Sequence, residues 1–321
     1  MQRFTIACAQ FAVTPMAVRE NVQKAVAWTE RAVRENGAQL VVLPETVTTG
    51  FTPGGPAEEL WERVDALPGR MTEPVAAAAR GLGVHVVFPT YERGPERGVV
   101  YNTAALFGPG GELLGRYRKT HLFPTERLSG GGPSTGLRTG WSTPGDEPVV
   151  VETELANVGL TICYDGDFPE LYRCEAIRGA EVICRPAALL RSFEIWEMTN
   201  RARAYDNHVY IAACNGIGPD AGGNYYFGHS MIVSPIAQVL ALARGTEEIV
   251  AVELDPDPIK TVTYGARTPM IFDHLEDRNL AAYRDILTPA RSRFEPARRI
   301  PQKESQVSGF KVSGSESQPE T

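Results

Sequence analysis

Val158-Gly159-Leu160-Thr161-Ile162-Cys163-Tyr164-Asp165-Gly166-Asp167-Phe168-Pro169-Glu170 passes from one structural period to another. Val158, Leu160 and Ile162 alternate, the pattern of a half-buried strand. Asp165-Gly166 breaks that strand. Pro169 has the fixed φ that suits a first helical position, and Glu170 suits the positive end of a new helix. Cys163 therefore stands on a strand-to-helix elbow, next to backbone N–H groups without a helical acceptor. Such an elbow can present a nucleophile and offer donors to a developing oxyanion.

Outward from this elbow, strands alternate with helices. Toward the N-terminus, Phe4 to Ala9 is β-prone. Val18, Val22, Ala25, Val26, Thr29 and Val33 recur at helical spacing, and Asn36-Gly37 closes that helix. Leu40 to Leu43 is a continuous apolar run, as expected of a strand covered on both faces. An alanine-rich helix ends near Gly81-Leu82-Gly83, and Val84 to Phe88 is another buried strand. Tyr101–Phe107 and Glu112–Arg118 flank Gly108-Pro109-Gly110-Gly111, a hairpin signal. Leu137 to Pro148 is rich in turn residues, and Val149 to Val151 pairs naturally with the strand before Cys163. Beyond the elbow follow a helix from Pro169 to Arg178-Gly179, a strand at Val182–Cys184, and a helix from Phe193 to Tyr205. Further strands are read at Val209–Cys214, Ser230–Ser234 and Ile249–Leu254. Helix and strand alternate but hairpins intervene, which predicts an α/β fold of mixed sheets with helices on their outer faces. Composition does not break anywhere before Pro301, so 1–300 reads as one domain. Residues 301–321, rich in Ser, Gln, Glu and Gly, read as a disordered tail.

The bulk properties exclude several classes. The chain has 321 residues, a formal charge of −7, 43% hydrophobic residues and 22% charged residues. That balance is ordinary for a soluble globular protein and gives no electrostatic footprint for nucleic acid or an anionic membrane. No apolar stretch approaches the ~20 residues of a membrane span, and MQRFTIACAQF lacks the pattern of a signal peptide. The five cysteines are odd in number and form no C-x-x-C pair. That argues against a disulfide framework or zinc site and favours a reducing cytoplasm. The five histidines show no metal-ligand spacing; His208 or His229 could pair with Cys163, but neither has a special context. Gly132-Pro133-Ser134-Thr135-Gly136 matches G-x-S-x-G, yet its flanks are loop where that motif needs a strand and a helix.

Two further strand ends carry chemistry. Pro44-Glu45 follows the apolar run, and Lys119 closes the second hairpin strand in Tyr117-Arg118-Lys119. Singly, each has a bland reading: a capping glutamate, a solvated lysine, a small core cysteine. Together they place an acid, a cation and a thiol at the ends of strands, where the loops of a sheet scaffold converge.

Leu43-Pro44-Glu45, Tyr117-Arg118-Lys119 and Ile162-Cys163-Tyr164-Asp165 with Phe168-Pro169-Glu170 resemble the three signature segments of the nitrilase superfamily of carbon–nitrogen hydrolases. The likeness extends through Leu254. It implies a four-layer α-β-β-α sandwich, a homodimer or higher oligomer, and catalysis without metal or organic cofactor. It assigns Cys163 as nucleophile, Glu45 as general base and Lys119 as the cation of a triad. A neighbouring ammonium favours the thiolate that must attack. Lys119 and the Tyr164 N–H would stabilise the oxyanion, and Glu45 would shuttle the proton. Cys163-Tyr164-Asp165, where nitrile-cleaving members usually carry Cys-Trp-Glu, points to amides over nitriles and to the aliphatic amidase and formamidase branch. Relatives there have a second glutamate after the lysine, for which Glu126 is the candidate. Arg185 and Arg191 are candidates for a substrate carboxylate, or else structural ion-pair partners. The expected activity is hydrolysis of a small amide to acid and ammonia through a thioester. N-carbamoyl amide hydrolysis, acyl transfer, nitrile hydrolysis and a non-catalytic binding protein of the same fold are the alternatives.

Overall fold

In the computed structural model the described residues are 1–127, 140–259, 272–294 and 296. Their strands form two six-stranded sheets and one two-stranded ribbon. The first sheet is built from β1 (Phe4–Gln10), β2 (Leu40–Val42), β3 (His85–Arg93), β4 (Val100–Phe107), β5 (Leu113–Arg118) and β14 (Glu248–Leu254). β1, β2 and β3 are parallel, whereas β4, β5 and β14 add antiparallel edges. The second sheet repeats the plan. β7 (Asn157–Leu160), β8 (Val182–Ala187) and β9 (Tyr210–Asn215) are parallel. β6 (Val149–Glu152), β12 (Met231–Val233) and β13 (Val239–Leu242) run antiparallel beside them.

Pleat alternation sorts the side chains into layers. Phe4, Ile6, Cys8, Leu40, Val42, Val87, Ala104 and Leu106 pack between the sheets against Leu160, Cys184, Ala212 and Ile232. Ala7, Ala9, Val41, Leu43, Val86 and Phe88 face the other way, onto Val22, Ala25 and Ala32 of α1 (Val18–Asn36) and Val75 and Ala79 of α3 (Glu73–Leu82). α4 (Pro169–Ile177) and α5 (Phe193–Asn207) cover the second sheet through Leu171, Tyr172, Trp196 and Ala204. The result is the α-β-β-α sandwich expected. Each fully buried Val, Leu or Ile contributes about 1.5–3 kcal/mol, so both faces of both sheets hold the strand ends rigid.

Most predicted elements are present with shifted ends. β7 stops at Leu160, two residues short of the expected strand, because residues 163–167 already turn as a 3-10 helix. β3 continues to Arg93 because β4 pairs with it along its length. Four elements had no clear sequence signal: α2 (Ala57–Arg63), β13, and the ribbon of β10 (Ile217–Pro219) and β11 (Tyr225–Phe227). The expected tail, 301–321, and the Gly132–Gly136 motif lie outside the described residues.

Candidate active site

Three loops bring the predicted acids and cation into contact. Pro44 ends β2, and Glu45 follows it almost fully buried. Its backbone N–H donates to Ala187 O at 3.3 Å, and Ala188 N–H donates to its Oε2 at 2.7 Å. Glu45 is thereby anchored across the sandwich to the end of β8. Lys119 follows β5; its Nζ donates to Glu45 Oε1 at 2.9 Å and to Glu126 Oε2 at 2.6 Å. All three side chains are closed to solvent. Glu126 is thus no exposed loop residue: Phe123 N–H, Lys119 and Asn102 all donate to its carboxyl.

Asn102 on β4 was not anticipated. Its Nδ2 donates to Glu45 Oε1 at 2.8 Å and Glu126 Oε1 at 3.0 Å, and its carbonyl accepts from Lys119 N–H at 2.8 Å. An Asn inside the apolar run Tyr101–Phe107, opposite the strand that ends at Lys119, was the available signal.

Cys163 opens the 3-10 turn with φ of 47°, in the left-handed region that non-glycine residues rarely occupy. Asp165 holds that turn. It accepts from Ile162 N–H at 2.9 Å, Tyr117 O–H at 2.8 Å and His121 N–H at 3.0 Å, with His121 Nδ1 2.9 Å away. One carboxylate therefore ties the Cys163 turn to the strand end that carries Lys119. The expected strand-breaking role of Asp165 is real, but this clamp is its larger contribution.

Cys163, Tyr164, Phe51, Phe123, Ala188, Leu189, Leu190 and Arg191 line a small, mostly apolar pocket. Tyr164 meets Phe123 edge to face. Arg191 pairs bidentately with Asp167, at 2.7 and 2.8 Å, and its guanidinium carbon is 5.7 Å from the Tyr164 ring. Arg185 takes neither role weighed for it: it reaches no substrate carboxylate, and among the described residues it has no ion-pair partner. It is fully buried behind the elbow and is not part of the pocket wall. Its Nε and Nη2 donate to the carbonyl of Cys163 at 2.9 and 2.6 Å, so a substrate carboxylate cannot reach it. The histidines weighed as partners of Cys163 are engaged elsewhere: His208 stacks on His274, and His229 Nδ1 lies 2.9 Å from Phe227 O.

The electrostatics correct one expectation. Burial and the nearby Glu45 push the Cys163 thiol above its ordinary range, and Lys119 and Arg185 oppose that only in part. The ammonium does not win here because two carboxyls already share it. Burial pulls Lys119 down, but the Glu126 and Glu45 carboxylates outweigh it and hold the ammonium above its usual value. Glu126 is raised by burial, and the Lys119 ammonium opposes this. The resting site is thus a neutral thiol beside a carboxylate–ammonium cluster, which suits proton removal as the thiol attacks.

A thiol on a strained elbow, beside a buried Glu–Lys–Glu cluster on a four-layer sandwich, defines a class of hydrolase. The carbon–nitrogen hydrolase family model matches residues 5–264. Omega-amidase NIT2 of Xenopus tropicalis is 33% identical over 257 residues, covering 79% of this chain and 90% of that protein. Human omega-amidase NIT2 has the same identity and coverage. Among solved structures, Saccharomyces cerevisiae Nit3 aligns with a TM-score of 0.68 and 27% identity over 80% of this chain and 92% of its own. An amidase from Nesterenkonia sp. aligns with a TM-score of 0.71 and 28% identity over 88% and 96%. One variant of that amidase carries the acetamide moiety of fluoroacetamide on its active-site cysteine (TM-score 0.71, 28% identity, 88% and 97% covered). The chain belongs to the carbon–nitrogen hydrolases, within the nitrilase superfamily. It is an enzyme of the amidase class. The relatives named here are omega-amidases and amidases, so the likeness to formamidases and N-carbamoyl hydrolases holds at the level of the superfamily. No helix among the described residues is long and apolar enough to cross a membrane.

Proposed function

We propose that the chain hydrolyses a small amide to a carboxylic acid and ammonia through a thioester on Cys163. The observation that carries this reading is Lys119 Nζ bridging Glu45 and Glu126 beside the pocket that Cys163 lines. As Sγ attacks the amide carbon, Glu45 takes the thiol proton, so charge builds on the amide oxygen and not in the buried cluster. The Lys119 ammonium and the Tyr164 N–H, in the first turn of its helix where an N–H has no helical acceptor, stabilise that oxyanion. The C–N bond breaks as Glu45 returns the proton to the leaving nitrogen, which departs as ammonia. Glu45 then deprotonates a water that attacks the thioester; the acid leaves and the thiol is restored. Glu126 orients Lys119 and, with Asn102, fixes the carboxyl of Glu45.

Phe51, Phe123, Tyr164 and Leu189 limit the acyl group to a short or flat one. Arg191 on the same wall favours a second reading, an amide whose far end carries a carboxylate. Ammonia release from a panel of neutral amides and carboxylate-bearing amides tests both. Release from neither, with turnover of N-carbamoyl compounds or nitriles, would replace them. Full activity in Cys163→Ala would end the thioester mechanism.

A further inference from the structure

Lys119 and Arg185 are both fully buried near Cys163, and their partners differ in kind. Lys119 lies between two carboxyls. Arg185 on β8 has only neutral acceptors. These are the Cys163 carbonyl at 2.9 and 2.6 Å, Thr199 Oγ1 at 3.0 Å and Asn200 Oδ1 at 2.7 Å, the last two on α5. Its flat guanidinium lies 4.8 Å from the Trp196 ring centroid, a cation–π contact in place of an anion. Among the described residues no carboxylate stands within ion-pair distance of it. The chain makes room for this cation: a Cβ at Gly166 would lie 1.9 Å from Arg185 Cζ. Burying a charge without a partner of opposite sign is unfavourable, and α5 and the elbow are both shaped to accept it.

We propose that Arg185 is a positioning residue for the nucleophile. It holds the left-handed Cys163 turn by its carbonyl, and it keeps an uncompensated positive charge beneath the sulfur as thiolate forms. This rests on Cys163 being the nucleophile. The charged or titratable groups that act on Cys163 are Glu45 and Lys119 from the first sheet, Arg185 from β8, and Arg191 and Tyr226 around the pocket. Tyr164 and Asp165 flank it in the turn, and Tyr172 of α4 faces Arg185. Arg185 is distinguished among them because no carboxylate among the described residues pairs with it.

Asn200→Asp tests the charge without moving the arginine. The new carboxylate accepts the same Nη1–H bond in nearly the same volume and pairs the guanidinium. Alkylation of Cys163 by iodoacetamide is followed against pH by peptide mass spectrometry, with exposed Cys174 as internal reference. The midpoint for Cys163 should rise by on the order of one pH unit, with amidase kcat/KM shifted alike and Cys174 unchanged. Arg185→Lys keeps the charge and loses the two-pronged grip, so kcat should fall while the midpoint stays near the wild-type value. Arg185→Met should lose both. A folded Asn200→Asp protein with an unshifted midpoint overturns the proposal, whether or not Arg185→Met folds. Cys163→Ala separates the premise: retained amidase activity there defeats the nucleophile reading, whereas lost activity with an unshifted Asn200→Asp profile defeats the Arg185 proposal alone.

Discussion

The two halves of the sandwich share a plan and divide the labour. Each has three parallel strands with helices outside and antiparallel strands at the edges. The first half gathers the proton carrier and the groups that hold it: Glu45 after β2, Lys119 after β5 and Asn102 near the start of β4, with Glu126 close behind. Its cation is saturated by carboxyls. The second half ends its strands in the thiol and in a cation whose acceptors are all neutral. The contrast explains how a buried thiol can rest protonated and still become an anion. A proton acceptor stands on one side, and the unspent positive charge lies on the other.

The halves break differently when their charges are removed. Cys163→Ala should lower amide turnover by at least about 10⁴-fold, the scale of losing a nucleophile, while leaving thermal stability intact. Lys119→Met should lose turnover on a similar scale and also cost about 3–5 kcal/mol of stability, because two buried carboxyls are left facing each other. Adding Glu126→Gln to Lys119→Met removes one of those charges and should return about 1 kcal/mol or more. Urea denaturation with ammonia release on the same samples checks each part. If Lys119→Met were as stable as Cys163→Ala, the picture of a saturated first-half cation would fail.

Asp165 is where the halves are joined, and its effect should be smaller. Asp165→Asn keeps the volume but cannot accept from Ile162, Tyr117 and His121 with both oxygens. The expected losses are about 1–3 kcal/mol of stability and about 10–100-fold in kcat, the cost of a misplaced reacting group. KM should change little, since Asp165 is not in the pocket wall. A larger change in KM than in kcat would place it in substrate binding.

The fold and the skeleton of the site were legible because strand ends leave marks. Strand-like runs stop at Pro44-Glu45, Lys119 and Cys163, and Lys119 closes an antiparallel hairpin. What stayed hidden depended on direction across a sheet or between sheets. Asn102 and Arg185 sit within strands, where alternation gives a face but not a neighbour. Arg185 read as a ligand for a substrate carboxylate or as an ion-pair partner, yet it points to α5, where the missing Cβ of Gly166 and the ring of Trp196 hold it behind the nucleophile. Asp165-Gly166 read as a turn signal, and both residues turn out to be spatial requirements of the elbow. The three-residue strands β10 and β11 are too short for a period to register.

The smallest predicted effect tests whether the second half tolerates further charge. Glu175 on α4 is fully buried, and neither of its carboxyl oxygens has a hydrogen-bond partner among the described residues. It fits because residue 159 is glycine: a Cβ there would lie 2.5 Å from Oε2. Burial, reinforced by Asp165, raises this carboxyl well above the ordinary range, which favours its neutral acid in the folded protein. A group whose folded pKa is raised binds its proton more tightly in the native state. Its stabilising contribution is therefore complete below the unfolded value near 4.5 and is lost as pH rises toward the folded one. Glu175→Gln removes the titration at almost constant shape. Between pH 5 and 8 the wild-type protein should lose stability relative to this variant, by about 1–2 kcal/mol, as measured by urea midpoints. Amide turnover should be unaffected, since Glu175 is remote from the pocket wall. Parallel stability curves for the two proteins across that range would mean that the second half accommodates the anion, and that its unpaired cation is less isolated than Asn200→Asp assumes.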